Sequence, residues 1–146
     1  MNIHNLKRMY NHILTVPEEL LSMRHWRENK DWRSYECNTV GCVIGHCVQL
    51  DNIENIPVSR NGQIMFDKWS KNYTSIKLDS LEWYFLFSDI WAWSCFGLMT
   101  DTKEQILGRL KQFIFEQELK LEFSWNLEYD YLVTNPEYLD QTPFKL

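Results

Sequence analysis

The sequence predicts a single domain of α+β class, mainly helical, with about five helices and a small antiparallel sheet or hairpin at the C-terminal end. Three observations lead there. The 146 residues are 45% hydrophobic and 15% aromatic against 24% charged, which supports a buried core over residues 1–146 and excludes a disordered chain. Several stretches place apolar residues three and four apart, as one face of a helix requires. A stretch near the C-terminus switches to alternate positions, the period of a strand.

The elements follow in chain order. Ile3, Leu6, Met9 and Ile13 draw one apolar stripe, predicting a helix that ends near Thr15. Pro17 can open a second helix, because the first turn does not need its missing N–H, and Glu18 and Glu19 suit the positive end of the helix dipole. Leu20, Met23 and Trp26 form its stripe, and the polar RENKDWRSYE that follows reads as a loop. A third helix falls on CNTVGCVIGHCVQL, Cys37 to Leu50, capped by Asn38 or Thr39 and apolar on most sides through Val40, Val43, Ile44, Cys47 and Val48. Gly41 and Gly45, four apart, clear one face for close packing.

Between Asp51 and Lys77 lie turn signals, of which Asn61-Gly62 is the strongest, with short extended pieces expected near residues 63–66 and 74–78. A fourth helix starts in DSLEWYFLFSDIWAW, with Asp79 three before Glu82 as a capping box and Leu78 as its staple. A fifth repeats the device with Asp101 and Glu104, and buries Ile106, Leu110, Phe113 and Ile114. From Leu119 to Tyr131 every odd position is apolar or aromatic: Leu119, Leu121, Phe123, Trp125, Leu127, Tyr129 and Tyr131. That predicts one long strand, or a hairpin turning near residues 124–126.

Charge narrows the partners. Residues 1–78 carry ten Lys/Arg against eight Asp/Glu, whereas residues 79–146 carry five against twelve, so the net charge of −5 comes from the second half. An acidic half argues against direct nucleic-acid binding, which needs clustered cations, and suits a basic protein partner. Glu122, Glu128 and Asp130, between the aromatic positions, are the candidate partner-binding residues. No signal-peptide apolar run follows Lys7 and Arg8, and no span of roughly 18 apolar residues occurs, so a cytoplasmic chain without membrane association is expected. In that compartment the four cysteines are thiols or metal ligands.

The Cys37–Leu50 stretch supports two chemistries. Cys42 and His46, at i and i+4, project from one face of a helix, and Cys37 and distant Cys95 would complete a tetrahedral zinc set. Alternatively, Cys37 or Cys42 near a helix N-terminus would be a nucleophile with His46 or another histidine as base. Against both stands the reading of small buried thiols that fit beside the glycines; apart from such a zinc ion no cofactor is called for. The rings of Trp83, Trp91, Trp93 and Trp125 and the tyrosines from Tyr129 to Tyr138 would either stack on a nucleotide-like small molecule or simply build the core.

Taken together, CNTVGCVIGH, the later WYFLFSDIW and TDTKEQILGRLKQFI resemble a group of small phage and prophage proteins of uncharacterised function. Those proteins carry a Cys-Gly-Thr-x-x-Cys-x-x-Gly-Trp/His element, a Trp/Phe-rich helix and a Thr-led helix. The likeness spans Cys37 to Phe113 and marks Cys37, Thr39, Cys42, Gly45 and His46. Asn38 stands where the group usually has Gly; both residues tolerate positive φ, which favours a turn-and-cap role. The resemblance implies a host-cell phage setting. It supports the expectation of a non-enzymatic accessory protein that binds and inhibits a host factor, as in antiviral counter-defence. A module sequestering a small molecule and a zinc- or thiol-dependent enzyme are the alternatives.

Overall fold

The computed structural model describes residues 1–21, 42–87, 102–125 and 132–146. Among them are six helices: α1 (Ile3–Thr15), α2 (Val43–Cys47), α3 (Phe66–Thr74), α4 (Leu81–Phe87), α5 (Lys103–Glu118) and α6 (Pro136–Leu139). The long helices α1 and α5 pack on each other, with α2 and α3 against α1, and α4 and α6 against α5.

The apolar stripe of α1 makes it the centre of the core: Leu6, Met9, Tyr10 and Ile13 are fully buried. Each such aliphatic side chain contributes about 1.5–3 kcal/mol of transfer free energy. Asn2 caps the helix, its Oδ1 accepting from the Asn5 N–H at 3.0 Å. At the other end Val16, held extended by the following Pro17, stops the winding. The carbonyls left over there are capped from a distance: Lys103 Nζ donates to the carbonyls of Leu14 and Val16, both at 2.8 Å.

The helix expected from Pro17 is a single 3-10 turn, Glu18–Leu20, and Leu21 is already extended at φ −93° and ψ 124°. Met23 and Trp26 lie outside the described residues. The third helix starts later than its cap signals suggest. Cys42 is the N-cap of α2, its Sγ accepting from the Gly45 N–H at 3.5 Å, while Asn38, Thr39 and Gly41 lie outside the described residues.

The middle of the chain holds a helix that the pattern does not announce. Asn61-Gly62 makes its turn, with Gly62 at φ 77°, but the extended pieces amount to one antiparallel bridge between Val58 and Ile64. α3 follows, burying Trp69 and Tyr73 together with Ser70 and Thr74. Those two hydroxyls fit a dry face because each donates back along the helix at 2.7 Å, Ser70 to the Asp67 carbonyl and Thr74 to that of Ser70. In α4, Ser80 rather than Asp79 supplies the cap, its Oγ accepting from the Trp83 N–H at 3.1 Å. Asp79 is left-handed at φ 58° and accepts from the Tyr84 hydroxyl.

α5 opens on Thr102, whose Oγ1 accepts from Gln105 N–H at 3.3 Å; Asp101 lies outside the described residues. Ile106, Leu110, Phe113 and Ile114 are buried as the stripe predicts. The expected C-terminal sheet is overturned: no strand or sheet occurs among the described residues. Where the alternation begins, the chain is closing a helix. Lys120 is left-handed at φ 56°, its N–H bonds the Gln117 carbonyl at 3.0 Å, and Leu121 N–H bonds that of Glu116 at 2.9 Å. This is a Schellman closure, so Leu119 and Leu121 are 68% and 53% exposed instead of facing one core. Phe123 and Trp125 do turn inward, onto Phe85 at ring separations of 5.2 and 5.7 Å.

The last segment, residues 132–146, crosses α1 and α5 as a strap held by side chains. Gln105 clamps the backbone of Val133, its Oε1 accepting from the Val133 N–H at 2.8 Å and its Nε2 donating to the Val133 carbonyl at 3.1 Å. Asn11 clamps Phe144 in the same way, both bonds at 2.8 Å. Between them sits α6, capped by Asn135 and started by Pro136. Gly108 lets the strap close on α5, since a Cβ there would lie 3.2 Å from side-chain atoms of both Leu139 and Val133.

Candidate functional site

Three regions carry the candidate residues. The first is α2, whose short helix turns its polar atoms into the protein. The Cys42 thiol is 3% exposed, and burial pushes its pKa up to about 11, against a smaller opposing pull from its bonds to nearby backbone N–H groups. Cys47 is fully buried, its thiol directed to the Met9 carbonyl at 3.8 Å, and burial raises its pKa well above the ordinary value. A nucleophilic thiolate is disfavoured at both positions.

His46, 1% exposed, reaches across to the 3-10 turn, where its Nε2 lies 2.7 Å from the Leu20 carbonyl. A carbonyl only accepts, so the proton of His46 sits on Nε2. That nitrogen ties α2 to the segment after α1. The His46 carbonyl in turn accepts from Gln49 Nε2 at 3.2 Å, and the same amide lies 2.8 Å from His12 Nε2. His12 has a lowered pKa, first through burial and then through the neighbouring His46. Among the described residues no group of three or more His, Cys, Asp or Glu side chains is gathered where it could hold a metal ion. Cys37 and Cys95 lie outside the described residues.

The second region is the acidic, aromatic second half. Glu122 is exposed, while Glu128 and Asp130 lie outside the described residues. Trp83 and Trp125 pack against the core, the former donating from Nε1 to Ser70 Oγ at 3.2 Å. Tyr138 leans on Phe115 with ring centroids 6.1 Å apart. Trp91, Trp93, Tyr129 and Tyr131 lie outside the described residues. No helix among the described residues is long and apolar enough to cross a membrane.

The third region escaped the sequence reading. Lys111, only 5% exposed, points its ammonium under the strap, donating to the carbonyls of Asp140 and Thr142, with the Tyr10 and Phe144 rings 5.5 and 5.9 Å away. Tyr10 adds a bond from its hydroxyl to the Asp140 carbonyl at 3.1 Å. Burial, and after it the Asp140 carboxylate, pushes the Tyr10 pKa up to about 12. A buried lysine on a helix stripe has no sequence mark of its own. The signal that could have revealed the strap was Asn135-Pro136-Glu137, a cap, a helix-starting proline and a first-turn acid in a row. Set beside known proteins, the chain matches no family model, no curated protein and no solved structure.

Proposed function

We propose that the chain is a non-enzymatic phage accessory protein that binds and inhibits a host protein through its acidic second half. The observation carrying this reading is the surface at the end of α5. There Leu119 and Leu121 stand 68% and 53% exposed, with exposed Glu122 beside them. Protein interfaces combine such an apolar centre with a polar rim, and the net charge of −7 over residues 79–146 selects a basic partner. The burial of Cys42 and Cys47 argues against thiol chemistry at those two positions. Inhibition of a host factor is what the phage setting of the resemblance adds.

The test is affinity capture from bacterial lysate with the native chain, with a combined Glu122→Gln, Glu128→Gln and Asp130→Asn variant, and with Leu121→Asp. The native chain should retain one host protein and depress that protein's own activity. Both variants should lose it while keeping the native melting temperature. Equal retention by the triple variant would sink the acidic-surface reading, and a captured protein whose activity is untouched would sink inhibition.

A further inference from the structure

A second region, unrelated to the acidic half, is built like a small-molecule site. α1, the turn at Asp51–Asn55 and α3 enclose a cleft of about 510 Å³ lined by Asn5, Arg8, Asp51, Asn55, Asn72 and Tyr73. Its polar groups are fixed from behind. Arg8 donates one N–H to the Leu50 carbonyl at 2.9 Å, and its guanidinium lies 6.0 Å from the centre of the Tyr73 ring. Asp51 accepts from Asn52 N–H and Asn55 Nδ2 on Oδ1, and from Trp69 Nε1 at 3.1 Å on Oδ2. Asn5 spends its Nδ2 on the Tyr73 carbonyl at 2.8 Å.

Two features of this cleft are not explained by folding alone. Arg8 and Asp51, of opposite charge, line the same space, yet neither forms an ion pair among the described residues. The Tyr73 hydroxyl, on a residue 5% exposed, has no hydrogen-bond partner of good geometry among the described residues. Arg8 and Asp51 both act on it, and the Arg8 guanidinium beside it can only donate, so the hydroxyl's own hydrogen is left without an acceptor among the described residues. Buried hydroxyls are nearly always bonded, so this one is a donor waiting for an acceptor.

We infer that the cleft binds a free α-amino acid, its carboxylate on Arg8 and the Tyr73 hydroxyl and its ammonium on Asp51. The charges select this class. A phosphate would meet one guanidinium and be repelled by the Asp51 carboxylate, and a neutral sugar would leave both charges unpaired. A zwitterion satisfies both. The oxygens of the Asn5 and Asn55 amides, whose nitrogens are already committed, supply further acceptors for an ammonium with three donors. Asn72, an exposed residue of the lining, meets the side chain.

The experiment is a thermal-shift and calorimetric screen of the full chain against the common L-α-amino acids one at a time, with N-acetyl amino acid amides, orthophosphate and adenosine monophosphate as contrasts. At least one free amino acid should raise the melting temperature and release heat, and its blocked amide should do neither. Arg8→Gln and Asp51→Asn should each weaken binding by about tenfold or more. Tyr73→Phe, which keeps the ring packing, should weaken it without lowering the melting temperature of the free protein. The inference is overturned if no amino acid binds at about 10 mM, if the blocked amides bind equally, or if orthophosphate or the nucleotide binds instead. It is overturned equally if Tyr73→Phe leaves affinity unchanged.

Discussion

Replacing Asn11 by Ala tests whether side-chain amides hold the C-terminal strap. Two hydrogen bonds go, from Asn11 Nδ2 to the Phe144 carbonyl and from Phe144 N–H to Asn11 Oδ1, both 2.8 Å long. Each is worth about 0.5–1.5 kcal/mol net, and because the site is half-buried the freed peptide groups regain some hydration, so the pair should cost about 1–2 kcal/mol. For 146 residues that corresponds to a fall in melting temperature of about 2–8 °C. Phe144 also meets the Tyr10 ring edge-on at 5.0 Å, and that packing stays in the variant. The decisive control is a chain ending at Thr142, in which Asn11 has lost its partner. There Asn11→Ala should cost less than about 0.5 kcal/mol by urea denaturation. Equal costs in the two backgrounds would show that Asn11 stabilises α1 itself, and the strap account would fail.

Lys120 sits at φ 56° in the Schellman closure, a conformation a side chain disfavours, so Lys120→Gly should raise stability by about 0.5–1 kcal/mol in urea titrations; a loss of stability would contradict the left-handed closure. Cys42 should resist iodoacetamide at pH 8 until the protein unfolds, as read by mass spectrometry of the labelled site, and rapid labelling of folded protein would contradict its burial. Its folded pKa of about 11 lies above the unfolded value, so its contribution is fully present below about pH 9 and is lost as pH rises through 11. Cys42→Ala should flatten the stability profile in that alkaline window, and an unchanged slope would refute the assignment.

The elements legible in the sequence were those whose apolar side chains alone define a face. α1 is one: Ile3, Leu6, Met9 and Ile13 mark it, and it ends at Thr15 where the proline restriction demands. α5 is another. α3 was hidden because half of its buried face is Ser70 and Thr74, hydroxyls that satisfy themselves within the helix and so read as solvent-facing. The mistaken C-terminal strand has a different cause. Its alternation begins across a helix end, where Leu119 and Leu121 are set by a left-handed residue between them, and there period two arises without a pleat. At α2 the i, i+4 spacing of Cys42 and His46 was real, but the helix starts one residue later than such a face needs, leaving Cys42 as the cap. The cleft of Arg8, Asp51 and Tyr73 had no local motif, because three distant segments meet there.

The pair of clamps at Val133 and Phe144 imposes a constraint on how this chain can vary. Two strands in a sheet can slide by two residues and re-form equivalent bonds at the new register. A glutamine or asparagine side chain can grip the N–H and C=O of one residue only. With Gln105 holding one point and Asn11 the other, the number of residues between them is metered. The identities of the intervening residues that face water are open to drift, whereas a single insertion or deletion there would pull one end out of its clamp. In this segment, length is the constrained quantity and sequence the adjustable one.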